Sequence, residues 1–180
     1  MIFQNIELYE TDKFQYLLIH KNASSSIVNC IKHLNPIVTD KININKVRWT
    51  IIREPYERFV SGLKYDLQRH NLNIKDIDYS SLFNSKINKF SRLNGNVNHT
   101  TSQVPYLINT HINWYIEMKD LNIFMKMHFD KVEYYNENKI NIKLDLDKKE
   151  IIKYLNLDYY VYNNILNSNY LWKWQQGKIF

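Results

Sequence analysis

The sequence predicts an α/β fold: a single domain with a small parallel sheet flanked by helices. Three observations carry that expectation. Two short, almost continuous apolar runs, Phe14 to Ile19 and Val47 to Ile52, have the pattern of strands covered on both faces. Each runs directly into a segment with helical spacing, and the two are separated by about one βαβ unit of roughly 30 residues. No repeat and no Pro- or Gly/Ser-rich linker divides the 180 residues, a length that favours one compact domain.

The elements follow in order. The first run stops at His20-Lys21, and Asn22-Ala23-Ser24-Ser25-Ser26 offers helix-capping chemistry. Ile27, Val28, Ile31 and Leu34 then fall at helical spacing with Cys30 on the flank, and Pro36 closes the segment. The second strand ends at Arg53. Pro55 suits a first helical turn, where its missing N–H costs little. Tyr56, Phe59, Val60, Leu63 and Leu67 make an amphipathic stripe, while Arg58, Ser61 and Lys64 share another face. A right-handed βαβ unit sets the ends of both strands on one rim of the sheet, where ligands of open α/β sheets bind. The nucleotide-binding core therefore spans about 14–68.

Residues 70–102 are polar and weakly periodic, a length typical of a lid, an acceptor-binding loop or a partly disordered segment. A helical C-terminal part follows over 103–180. Within it Trp114 to Met118 read as a further strand, and Asp120 as the cap of a helix through Leu121, Phe124 and Met125. Asp147-Lys148-Lys149-Glu150 resembles a capping box for the helix with Ile151, Ile152 and Leu155. The tail from Tyr159 to Phe180 is too aromatic to hang free, and is expected to pack back as helix plus coil.

Composition narrows the function. A net charge of +6 favours an anionic ligand, but the basic residues are scattered, which argues against a nucleic-acid partner. The single cysteine, Cys30, excludes a disulfide framework and a cysteine-based zinc site and reads as a core residue. No leader pattern and no membrane-length apolar run is present, so the expectation is a cytoplasmic protein with no membrane partner. His20, His33, His70, His111 and His128 lack metal-ligand spacing and read as structural; no metal is expected.

The two strand-to-helix turns hold the candidate chemistry. A helix N-terminus offers free N–H groups and partial positive charge to phosphate or sulfate. Lys21 adds a mobile charge, Ser24, Ser25 and Ser26 add donors, and Arg53 adds a fork for a second anionic group. The implied ligand has two separated anionic centres, such as a nucleotide phosphorylated at both its 5′ and 3′ positions. Plainer roles exist for each residue: a solvated lysine, an N-cap serine, an Arg53–Glu57 surface pair, a neutral Ser61, and Gly62 as a close-packing site.

IHKNASSSI (Ile19 to Ile27) resembles the 5′-phosphosulfate loop of sulfotransferases, P-K-T-G-(G/S/T)-T-S. VRWTIIREPYERFVSGL (Val47 to Leu63) is similar to their 3′-phosphate motif, R-D-P-Y-E-R-F-V-S-G-Y. The likeness is to the carbohydrate (Golgi-type) members that use PAPS, 3′-phosphoadenosine 5′-phosphosulfate, and it covers roughly the first third of the chain. His99-Thr100-Thr101-Ser102-Gln103 is similar to an H-x-x-P-Q segment of some members. The resemblance implies a P-loop-like sulfotransferase fold and sulfuryl transfer from PAPS to a hydroxyl of a carbohydrate or other acceptor, with PAP (the desulfated nucleotide) as product.

It implies roles as well. Lys21 would meet the bridging oxygen and 5′-phosphosulfate; Asn22, Ala23, Ser24, Ser25 and Ser26 would cradle the 5′-phosphate. Arg53 and Ser61 would hold the 3′-phosphate, and His99 would take the acceptor's proton. Tyr65 and Arg92 are further candidates for the site wall. His20 stands where the family has Pro, and Ala23 where it has Gly, so a left-handed backbone there would strain Ala23. Without a membrane anchor, a bacterial or viral setting is expected. The competing readings are a kinase-like nucleotide enzyme, against which stands the missing G-x-x-x-x-G-K-[ST] loop, and a non-catalytic basic nucleotide or polyanion binder.

Overall fold

The structure, a computed structural model, describes residues 6–71, 99–100, 102–108, 110–129 and 144–179. In chain order these form β1 (Leu8–Glu10), β2 (Phe14–Leu17), α1 (Ser24–Ile31), β3 (Ile37–Thr39), β4 (Val47–Ile52), α2 (Pro55–His70), α3 (Val104–Ile108), β5 (Trp114–Glu117), α4 (Leu121–Phe129), α5 (Lys148–Tyr154) and α6 (Asn156–Leu166). The architecture is mixed α/β around one sheet in the order β3-β1-β2-β4-β5.

The parallel sheet expected from the sequence is its inner part only. β2 pairs parallel with β4, and β4 with β5, setting Tyr16 beside Trp49 and Trp49 beside Trp114. On the outer side β1 pairs antiparallel with both β2 and β3, so the sheet is mixed. The β1–β2 turn is tied by Thr11, whose hydroxyl accepts the amides of Lys13 (3.2 Å) and Phe14 (3.1 Å). The chain then leaves α1 for the far edge before returning to the centre as β4. β1 and β3 have three residues each, and Ile37 and Val38 of β3 are exposed, so neither carries the apolar signal of an inner strand.

Alternation along the inner strands feeds two cores. Phe14, Tyr16, Trp49, Ile51 and Ile116 meet Ile27, Cys30 and Ile31 of α1, Phe124 and Met125 of α4, and Trp172. Leu17, Ile19 and Ile52 face the other way, onto Leu107 of α3 and Tyr162 and Ile165 of α6. A third cluster locks Phe59, Leu63 and Leu67 of α2 against Ile151 and Leu155. The C-terminal segment returns to the sheet, where Trp172 N–H donates to the Tyr115 carbonyl at 2.9 Å.

Helix starts follow local chemistry, with one revision. Asp147 caps α5 by accepting the amides of Lys149 and Glu150, and Pro55 opens α2 behind Glu54, which accepts the amide of Glu57. α1 instead starts after Ala23 with no side-chain cap, so none of the three serines is its N-cap. His33 Nδ1 lies 2.8 Å from the Cys30 carbonyl, and burial among Phe124, Phe129 and Trp172 pushes His128 down to about 4. Among the described residues no helix is long and apolar enough to cross a membrane, and no group of three or more His, Cys, Asp or Glu is arranged to hold a metal ion.

Candidate functional site

The two strand-to-helix turns meet at the C-terminal ends of the neighbouring strands β2 and β4. In the first, Lys21 (φ 67°) and Ala23 (φ 59°) both adopt left-handed backbone, turning the chain sharply from strand into α1. Asn22 between them is fully buried. Its side-chain amide donates to the Ile51 carbonyl (2.8 Å) and to Gln103 Oε1 (3.2 Å), so it holds the turn to β4 rather than facing outward. Ser24, Ser25 and Ser26 form the first turn of α1, which has no acidic residue and no side-chain cap. Such a terminus retains its attraction for an anion.

The second turn places Arg53 across from the first. Its Nη1 donates to the Lys21 carbonyl at 3.2 Å, while Nε lies 3.7 Å from Glu57 on the exposed side. Gln103 donates from Nε2 to the Arg53 carbonyl (3.1 Å), and its backbone N–H donates to Asp158 (3.0 Å). Gln103 therefore bonds to both turns at once. Glu54, at the start of α2, accepts a hydrogen bond from Tyr159.

Lys21 points along α2. Its ammonium sits 3.7 Å from the centre of the Tyr65 ring, a cation–π contact. Burial pushes its pKa down to about 8; Asp66 opposes the shift, and Arg53 and Arg58 add to it. Arg58, expected to share a face with Ser61 and Lys64 from which polar groups point toward one ligand, is 3% exposed, and burial pushes it down to about 10 against the pull of Asp158. Three cations thus share this rim. Ser61 is half-buried on α2, and among the described residues its hydroxyl makes no bond to Arg53.

His99 closes the site. Its Nδ1 lies 2.6 Å from Asp66 Oδ1, with both side chains under a tenth exposed. Its ring packs on Tyr65 (4.3 Å between centres) and meets His20 edge-on (5.4 Å). The contact depends on Gly62: a Cβ there falls 2.6 Å from the His99 carbonyl carbon and closer to its oxygen. That is the close approach for which α2 carries a glycine one turn before Asp66. His20 is pushed below its ordinary range, chiefly by burial.

Lys21, Arg53 and His99 are therefore brought together, with Ser24 to Ser26 at the adjoining helix start. Arg92 lies outside the described residues. Sequence reasoning passed over Asp66, which has no local motif and meets His99 only across the fold. Gln103 was within reach as the last residue of the H-x-x-P-Q echo. The rim offers an uncapped helix start, a lysine and a guanidinium to an anionic ligand, and a carboxylate-bound imidazole to a proton. No protein-family model, curated protein or solved structure matches the chain.

Proposed function

We propose that the protein is a sulfotransferase that moves the sulfuryl group of PAPS to an acceptor hydroxyl, a carbohydrate hydroxyl above all. The observation that carries this reading is the Arg53–Lys21 bond, which sets cations from both resemblance motifs on one rim beside His99. The residues present suit a doubly anionic nucleotide. The uncapped start of α1 with Ser24, Ser25 and Ser26 takes the 5′ group, and Arg53 with Ser61 takes the 3′-phosphate.

PAPS supplies an activated sulfuryl group, which leaves the protein mainly positioning and charge stabilisation to do, as in phosphoryl transfer. His99 takes the hydroxyl proton as the acceptor oxygen bonds to sulfur. Lys21 neutralises the charge that appears on the 5′-phosphate oxygen as the old S–O bond breaks. Loss of a general base costs about 10²–10⁴-fold in rate, so His99→Ala abolishes useful turnover while sparing nucleotide binding.

Thermal unfolding with PAP, with ADP, and with ATP plus magnesium tests the reading. A ligand at about 100 times its Kd stabilises by about 2.7 kcal/mol, a rise of roughly 5–11 °C for a domain of this size. A PAP-selective rise followed by sulfate transfer from PAPS supports the proposal. A rise with magnesium-ATP and none with PAP replaces it with the kinase reading.

A further inference from the structure

We propose that Asp66 is a positioning residue for sulfuryl transfer, fixing His99 in the tautomer that carries its proton on Nδ1 and presents Nε2 as the base. This rests on the sulfotransferase reading and adds a residue that neither motif contains.

The geometry supports a dedicated pair. Asp66 projects from the middle of α2, one turn after Gly62, and accepts from His99 Nδ1 at 2.6 Å. Its second oxygen, Oδ2, is buried and, among the described residues, makes no hydrogen bond. A buried carboxylate normally gathers several donors, because each unmet lone pair carries a desolvation penalty. Asp158 on the same rim has the backbone N–H of Gln103. Among the described residues the sole hydrogen bond to Asp66 comes from His99. A carboxylate placed this way does little for the fold and much for the imidazole: it orients the ring, selects the tautomer and stabilises the imidazolium formed when the acceptor's proton arrives.

The surroundings keep the pair intact. The Tyr65 ring touches both the Lys21 ammonium and the His99 imidazole. One ring thus contacts both the base and the leaving-group cation and packs each in place. The groups facing His99 are Asp66 and Tyr65 from α2 and His20 from the β2–α1 turn; Lys21 and Arg58 act through their charge on the same pocket.

Nitrogen-15 NMR of the imidazoles in the full chain reads the tautomer without any nucleotide. The expected result is a neutral His99 protonated on Nδ1 in the wild type, and a loss of that preference in Asp66→Asn, a substitution of nearly the same shape. Turnover in Asp66→Asn then falls about 10²–10⁴-fold, with the PAP-induced thermal shift unchanged. Asp66→Glu recovers part of the rate. A wild-type His99 protonated on Nε2 overturns the proposal, as does wild-type turnover in Asp66→Asn. Parallel loss of the PAP shift and of turnover assigns Asp66 to the fold and also overturns it. If wild type shows no PAP shift at all, the sulfotransferase reading fails, whatever the tautomer.

Discussion

At the N-terminal end of β4 and at its C-terminal rim, cations live under opposite rules. Arg48 is 3% exposed, and all three of its guanidinium nitrogens donate: Nε to Gln15 (3.1 Å), Nη1 to the carbonyls of Thr110 (2.6 Å) and His111 (2.7 Å), and Nη2 to that of Asn43 (3.1 Å). It ties two loops and β2 together at the bottom of the sheet. Five residues later, Arg53 makes one carbonyl bond and a long contact with Glu57, while Lys21 rests on an aromatic face. A cation whose donors are all used by the protein is structural. One held by a ring or a single carbonyl retains capacity for a ligand, and that contrast locates the site better than charge alone.

The contrast breaks first at Arg48. Arg48→Met removes the donor from four acceptors, and unmet buried acceptors cost about 1–3 kcal/mol each. The expected loss is on the order of 4 kcal/mol, with a fall in Tm of roughly 8–16 °C; what remains folded still shows a PAP shift. Denaturation by urea measures it. A variant as stable as wild type would mean that Arg48 is no structural pin and that the comparison has no basis.

Arg53→Ala is the mirror experiment. Its exposed pair with Glu57 and single carbonyl bond leave little stability to lose, about 1 kcal/mol or less. Losing a guanidinium's charged bonds to phosphate costs about 1.5–3 kcal/mol, or roughly 10–100-fold in Kd for PAP. Calorimetric titration decides it, and unchanged PAP affinity removes Arg53 from the site. Lys21→Ala is expected to lose sulfate transfer from PAPS, read in a transfer assay.

Much of this arrangement is written locally in the chain, and the part that is not is long-range. β2, β4 and α2 are legible because a strand covered on both faces must be apolar throughout, and because Pro55 marks a helix start. β1 and β3 are not, since three-residue edge strands with exposed Ile37 and Val38 leave no alternation to read. Lys21, Arg53 and the serines stand out through their place at the ends of strands. Asp66 does not: its helical spacing sets it beside Leu67 on an ordinary amphipathic helix, and only the chain's return at His99 gives it a partner. Asn22 misleads for a related reason. Polar and within the anion-binding loop, it turns inward to Ile51 and Gln103, because a left-handed residue on each side directs it there.

The pH dependence of binding sharpens the comparison further. Burial lowers Lys21 from its ordinary value of 10.5 to about 8 in the folded protein. Between those values the unfolded chain binds the extra proton, so this group makes the free protein more stable as pH rises from about 8 to 10.5. A dianionic ligand reverses the preference by holding the ammonium charged, so binding takes up a proton above pH 8. Above the phosphates' own titration near pH 6, PAP affinity is therefore flat to about pH 7 and falls by up to about tenfold per pH unit above 8. Lys21→Arg, charged throughout, flattens the curve. An affinity independent of pH from 7 to 9.5 in the wild type would place Lys21 away from the ligand.

The smallest effect concerns the backbone under the site. Ala23 begins α1 at φ 59° and ψ 23°, a conformation in which Cβ crowds the following carbonyl at a cost of about 1–2 kcal/mol. Glycine relieves that crowding but gains about 0.4–1 kcal/mol of freedom in the unfolded chain. The balance favours Ala23→Gly by about 0.5–1 kcal/mol, a rise in Tm of roughly 1–4 °C. Ala23→Val goes the other way, since a β-branched side chain tolerates the left-handed region least. Because Gly keeps the same turn, PAP affinity stays at the wild-type level while stability rises. A destabilised Ala23→Gly protein would mean that position 23 is not left-handed in solution. The uncapped start of α1 would then present its N–H groups in another direction, and the difference between the strained rim and the saturated base of the sheet would rest on Lys21 alone.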